Sequence, residues 1–100
     1  MSSRTDTLVA SAQQHLVPTY RQRALVLERG QGSRLWDIEG RDYVDFAAGI
    51  AVSALGHGDA DILAALHQQA GKLWHTSNIF YSEPPLRLAE ELIAASGFAS

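Results

Sequence analysis

Apolar positions recur along the chain with two different periods, and the change of period divides it. Leu8, Ala12 and Leu16 stand at i, i+4 and i+8 with Val9 beside them, which predicts a short helix over residues 5–16. Thr5 or Asp6 is placed to cap its start, and Pro18 marks its end. From 24 to 46 the pattern turns strand-like, in runs over 24–27, 33–37 and 42–46. Gly30-Gln31-Gly32 separates the first two runs, and Ile38-Glu39-Gly40-Arg41 makes a hairpin connection in which Gly40 can take a positive φ. Val44 and Phe46 fall on one face of the third run and Tyr43 on the other. Helical spacing returns over 59–73, with Ile62, Leu66, Ala70 and Leu73 as the stripe and Asp59 and Asp61 in the first turn. A last helix starts at Ser82-Glu83-Pro84-Pro85, where prolines miss no helical N–H, and Gly97 is its C-cap. The predicted order is a short helix, a three-stranded β-meander and two helices.

Those helices carry more apolar surface than a three-stranded ribbon covers. Leu88, Leu92 and Ala95 make one row on the last helix, and Leu86, Ala89 and Ile93 make the next. The chain stops directly after that helix, where an α/β protein begins its next strand. The sequence therefore reads as the beginning of something larger.

Between strand and helix lies the stretch that interrupts both periods, Asp45 to Asp61. It has no charge between Asp45 and Asp59 apart from what His57 carries, and it is small, apolar and punctuated by Gly49, Gly56 and Gly58. A surface loop is ordinarily polar. Small apolar residues with glycines suit a segment pressed between two bodies. Two readings fit: a buried connection inside one core, or the wall of a binding cleft or subunit interface.

Composition narrows the function classes. Hydrophobic residues at 46% and charged residues at 19% place the chain with globular proteins. The net charge of −3 gives nucleic-acid binding no electrostatic support. Without cysteine there is neither a disulfide framework nor a thiolate metal site. No secretory signal follows Met1, and no apolar run approaches the ~20 residues of a membrane span. The expectation is a soluble, cytoplasmic chain with no nucleic-acid or membrane partner.

Candidate chemistry is sparse. His57-Gly58-Asp59-Ala60-Asp61 has the residue types of a metal site but no second histidine or carboxylate cluster, so it reads as a helix start with capping acids and a turn histidine. His75 and Ser77 lack the glycine elbow and the orienting acid of a nucleophilic pair. Trp36 and Trp74 read as core or interface anchors. The loop from His75 to Tyr81 is the better candidate, because Asn78 both donates and accepts and Tyr81 carries a hydroxyl beside apolar neighbours.

Taken together, certain runs resemble the N-terminal segment of class III aminotransferases, pyridoxal-phosphate (PLP) enzymes of fold type I. The runs are Gly30-Gln31-Gly32-Ser33-Arg34-Leu35-Trp36-Asp37, Gly40 to Phe46, Gly49-Ile50-Ala51-Val52, Leu55-Gly56-His57, and Leu73-Trp74-His75-Thr76-Ser77-Asn78 with Glu83-Pro84. Two of these, Gly-Ile-Ala-Val-x-x-Leu-Gly-His over 49–57 and Leu-Trp-His-x-Ser-Asn over 73–78, are similar above all to the acetylornithine aminotransferase branch. The resemblance spans about residues 16–98 and departs at Gly58-Asp59-Ala60, which alters only a helix start.

The resemblance implies an α/β fold of which this chain is the N-terminal α+β part. Residues 1–18 form a helix, 19–58 the small-domain meander and cleft loop, and 59–100 helices leading into the large cofactor domain. It implies amino transfer from the terminal amine of N-acetylornithine to 2-oxoglutarate in arginine biosynthesis, by a cytoplasmic homodimer using PLP. The alternatives are ornithine, succinylornithine or 4-aminobutyrate as donor, or a non-catalytic α+β interaction module. Ile50, Ala51, Val52, Asn78, Phe80 and Tyr81 are implied to line the substrate side of the cleft. The family's phosphate-cradling turn, its aspartate for the pyridine nitrogen and its Schiff-base lysine fall beyond Ser100. Lys72, the only lysine, is not that lysine. No catalytic, cofactor-binding or metal residue is therefore expected within this chain, which alone would be inactive. Ornithine aminotransferases that resemble it carry a tyrosine where Ile50 falls, so an apolar side chain there suits an acylated substrate nitrogen.

Overall fold

Asp37 organises the sheet. It is 1% exposed, and every lone pair it turns inward is used. Oδ1 accepts from the backbone N–H groups of Glu39 and Arg41 at 3.0 and 2.9 Å. Oδ2 accepts from Arg41 Nε at 2.9 Å and from the Tyr43 hydroxyl at 2.8 Å. An aspartate before a tight turn that bonds the backbone beyond it is the turn chemistry of this residue type. With Gly40 at φ 86°, it closes the hairpin between β2 (Arg34–Asp37) and β3 (Asp42–Val44). In the computed structural model, which describes residues 3–98, these strands and β1 (Leu27–Gln31) form an antiparallel sheet in the order β1-β2-β3.

The register pairs Gln31 with Arg34, Gly30 with Leu35 and Arg29 with Trp36, with an irregularity between Leu27 and Arg29. On the other side Arg34 faces Val44 and Leu35 faces Tyr43. The cross-strand pair Arg29–Trp36 stacks, its guanidinium carbon 3.8 Å from the ring centroid. β1 begins where the first apolar run ends, so the strand expected over 24–27 lies later and contains Gly30. The reason is tertiary: a Cβ on Gly30 would stand 2.7 Å from His57 Cγ, so this glycine admits a neighbour rather than ending a strand. β3 ends at Val44, because Asp45 turns the chain away; Phe46 is exposed and outside the strand.

Helix α1 (Arg4–His15) starts and ends one residue before the expected span of 5–16. Its cap is Ser3, in a reciprocal box with Asp6, rather than Thr5 or Asp6 itself. Thr5 is occupied elsewhere: its N–H and hydroxyl both donate to Glu39 Oε1 at 3.0 Å, tying the helix to the β2–β3 turn. Helix α3 (Ala60–Ala70) is capped by Asp59, whose Oδ2 accepts from Ile62 N at 3.1 Å. Helix α4 (Glu83–Ser96) has its prolines in the first turn and Gly97 at φ 72° as the C-cap. Between the sheet and α3 stands α2 (Ala48–Ala51), a single turn absent from the periodicity.

Two compact units result, Met1–Leu66 and His67–Ser100. Among the described residues no apolar side chain is buried; Thr5 and Asp37 are the buried ones. The apolar rows of α4 lie open, Leu88 and Leu92 included, in accord with helices that outrun the ribbon's capacity to cover them. No helix among the described residues is long and apolar enough to cross a membrane.

Candidate functional site

The stretch after β3 coils the wrong way round. Ala48, Gly49, Ile50 and Ala51 have φ of 50°, 63°, 63° and 61°, so α2 is a left-handed turn. Its bonds are helical in pattern: Ala51 N–H donates to Ala47 O at 2.9 Å, and Val52 and Ser53 N–H both donate to Ala48 O at 2.8 Å. For L-residues this hand costs about 1–2 kcal/mol each, and glycine alone is exempt. Three of the four residues are not glycine, and Ile50 is β-branched, the least tolerant kind. Strain of this sort persists only where its surroundings over-determine it, and it concentrates at functional sites.

Those surroundings are Asp45 and His57. Asp45 Oδ1 accepts from Ala47 N at 3.0 Å and Ala48 N at 2.9 Å, fixing the start of the turn. Asp45 Oδ2 lies 2.6 Å from His57 Nε2. The His57 hydrogen bond, then the backbone N–H of Ala48, hold the Asp45 carboxyl below the usual carboxylate range. An ionised carboxylate only accepts, so Nε2 carries the proton and donates. Both ends of the loop are then sewn to the β1–β2 turn. Asp45 N donates to Ser33 O at 2.8 Å, and Gly32 and His57 exchange two backbone bonds of 2.9 Å. The intervening segment is a short loop with closed ends. It presents Ile50 and Val52 outward, 94% and 81% exposed, with Ala51 also exposed.

The second group of expected cleft residues belongs to the other unit. Trp74 Nε1 donates to Ala70 O at 2.7 Å and Gln69 Nε2 to Leu73 O at 2.8 Å, so the end of α3 fixes the start of the loop. Ser77 takes φ 68°. The loop folds around a hollow of about 470 Å³ lined by Trp74, His75, Asn78, Phe80, Tyr81 and Pro84 among others. Asn78, Phe80 and Tyr81 are thus brought together, with Tyr81 93% exposed. Ile50, Ala51 and Val52 gather on one turn of the first unit.

The sequence pattern does not single out Asp45, and it gives His57 as a turn histidine. The available signal was an aspartate and a histidine bounding an uncharged, glycine-punctuated run.

Residues 16–99 match the family model described as Aminotransferase class-III. The acetylornithine aminotransferase of Xanthomonas campestris is 62% identical over 99 residues, covering 99% of this chain and 24% of that protein. The crystal structure of N-acetylornithine aminotransferase from Stenotrophomonas maltophilia K279a superposes with a TM-score of 0.81 at 58% identity, covering 92% of this chain and 24% of that one. That of acetylornithine aminotransferase from Elizabethkingia anophelis gives 0.90 at 29% identity, over 99% and 26%. The chain thus spans about a quarter of the length of the relatives it matches. Helix, antiparallel meander and following helices are the shared architecture, and the chain belongs to the class-III aminotransferase family.

Proposed function

We propose that this chain is the N-terminal part of a PLP-dependent acetylornithine aminotransferase, which moves the terminal amino group of N-acetylornithine to 2-oxoglutarate. The observation that carries this reading is the likeness to acetylornithine aminotransferases along nearly the whole chain. Within the enzyme, residues 19–58 form the meander and cleft loop of the small domain, and 59–100 lead into the large domain. A cytoplasmic homodimer belongs to the same reading.

The residues present do not fit the cofactor. A Schiff base needs an activated lysine, and Lys72 sits in the turn after α3, outside the lining of the hollow. No step of the transfer is therefore assigned to this chain. Its contribution is to shape the substrate side of the cleft: Ile50, Ala51 and Val52 as an apolar wall without donors or acceptors, and Asn78, Phe80 and Tyr81 as a wall with both polar and aromatic groups. The apolar wall at Ile50 accommodates an acylated, neutral nitrogen and offers no partner to a charged ammonium.

The test is an assay of the full-length protein that carries this sequence. N-acetylornithine and 2-oxoglutarate should yield glutamate with a higher kcat/KM than ornithine or 4-aminobutyrate does. A preference for either unacylated amine, or no transamination, would overturn the reading.

A further inference from the structure

We infer that Asp45 and His57 are positioning residues for substrate selectivity: their clasp holds the left-handed turn Ala48–Ala51 in the strained form that presents Ile50 to the substrate. The inference rests on the proposal that Ile50 lines the substrate side of the cleft.

Its own backbone bonds close this turn but do not select its hand. Its residue types prefer the opposite hand, and of its four members only Gly49 is indifferent. Left alone, the segment would relax to a right-handed or extended form, and Ile50 would swing away from its present direction. What opposes relaxation is one carboxylate with all its useful directions taken. Oδ1 holds Ala47 and Ala48 at the start of the turn, and Oδ2 holds His57 beyond its end. His57 is itself fixed at the backbone by its pair of reciprocal hydrogen bonds with Gly32. Its ring rests where a side chain on Gly30 would otherwise be. The Asp45 side chain is 9% exposed, so water competes poorly for these bonds. Each acts through the turn: Asp45 on its first amides and His57 on Asp45.

The experiment uses the full-length enzyme and three variants. His57→Leu keeps bulk and removes the donor. His57→Gln keeps an N–H at a comparable reach. Gly30→Ala leaves both clasp residues in place, but its Cβ would stand 2.7 Å from His57 Cγ and so displaces the ring. Amide hydrogen exchange is followed at Ala51, Val52 and Ser53, whose N–H groups close the turn, with the amides of α4 as reference. In parallel, kcat/KM is measured for N-acetylornithine and for ornithine.

His57→Leu and Gly30→Ala should speed exchange at those three amides by about tenfold and leave α4 unchanged. The acetylornithine-to-ornithine ratio should fall by about tenfold in both. His57→Gln should restore slow exchange and the ratio together. Slow exchange in both His57→Leu and Gly30→Ala would show that the clasp does not hold the turn. Fast exchange with the wild-type ratio would show that the turn does not set selectivity. Either result overturns the inference. Absence of wild-type activity on both amines would instead overturn the functional reading, and the selectivity role with it, while the exchange arm still decides the clasp.

Discussion

Gly56 and Gly32 meet backbone to backbone. A Cβ on Gly56 would lie 3.1 Å from Gly32 Cα and 3.1 Å from its carbonyl oxygen, and Gly56 already sits at φ 84°. Two demands coincide at one residue. The left-handed backbone excludes most side chains, and the neighbour in the way is backbone, which has no rotamer by which to withdraw. The loop that carries Ile50 closes through this approach.

Gly56→Ala should therefore cost more than a left-handed glycine ordinarily does. Gly40 supplies the comparison: its φ is 86°, yet nothing lies within 4 Å of its would-be Cβ. Gly40→Ala should lose about 1–2 kcal/mol from the backbone alone. Gly56→Ala should lose that and more, about 2–3 kcal/mol. Denaturant midpoints of the two variants in the full-length protein, at equal m-value, decide it. Equal losses would mean that the close approach contributes nothing.

The features legible in the sequence are those whose cause is local. Asp59 before α3, the prolines at the start of α4 and Gly97 after it act on backbone groups within one turn, so a single sequence suffices to place them. The features that were not legible have distant causes. Ser3 rather than Thr5 caps α1 because Thr5 is held by Glu39, 34 residues away. β1 runs through Gly30 because His57 folds over it. The left-handed turn is set by Asp45 and His57, 12 apart, and the alanines it contains have no preference for that hand. Of the candidate site, the apolar character of residues 46–56 could be read directly. The singling out of Ile50, Ala51 and Val52 came from family resemblance.

Asp37 and its neighbours make the sheet acid-sensitive. Burial pushes the Asp37 carboxyl up, but hydrogen bonds from Tyr43, from Arg41 and from the Glu39 backbone together bring it below its usual range. Thr5 does the same for Glu39, through its backbone and then its side chain, and His57 leads for Asp45. All three folded-state values are depressed, so the unfolded chain takes up these protons more readily. The stability they contribute is fully present above the ordinary carboxylate range of about 4 and is lost as pH falls through the lower folded values. Tyr43→Phe removes a donor to the ionised form, raises the folded value for Asp37, and should move the onset of acid unfolding to higher pH. Near-UV circular dichroism followed against pH at fixed ionic strength checks this in wild type and variant. Coincident curves would mean that the hydroxyl does not bond the carboxylate.

Ile50 gives the prediction that bears most directly on substrate choice. Its side chain projects from the left-handed turn almost wholly exposed in this chain and has no polar atom. A tyrosine there, as in the ornithine aminotransferases that the sequence resembles, would place a hydroxyl oxygen where an unacylated α-ammonium can donate to it. Supplying a partner to a polar substrate group otherwise left without one is worth ~1–3 kcal/mol, about one to two decades in kcat/KM. Ile50→Tyr in the full-length enzyme should raise the ornithine-to-acetylornithine ratio of kcat/KM by about that amount. The backbone does not oppose the change, since it replaces a β-branched residue at positive φ with an unbranched one. Measuring both substrates on one preparation removes folding defects, which lower both rates and leave the ratio alone. If the ratio holds at its wild-type value while the tyrosine occupies the cleft, Ile50 is wall and not filter, and discrimination lies in residues outside this segment.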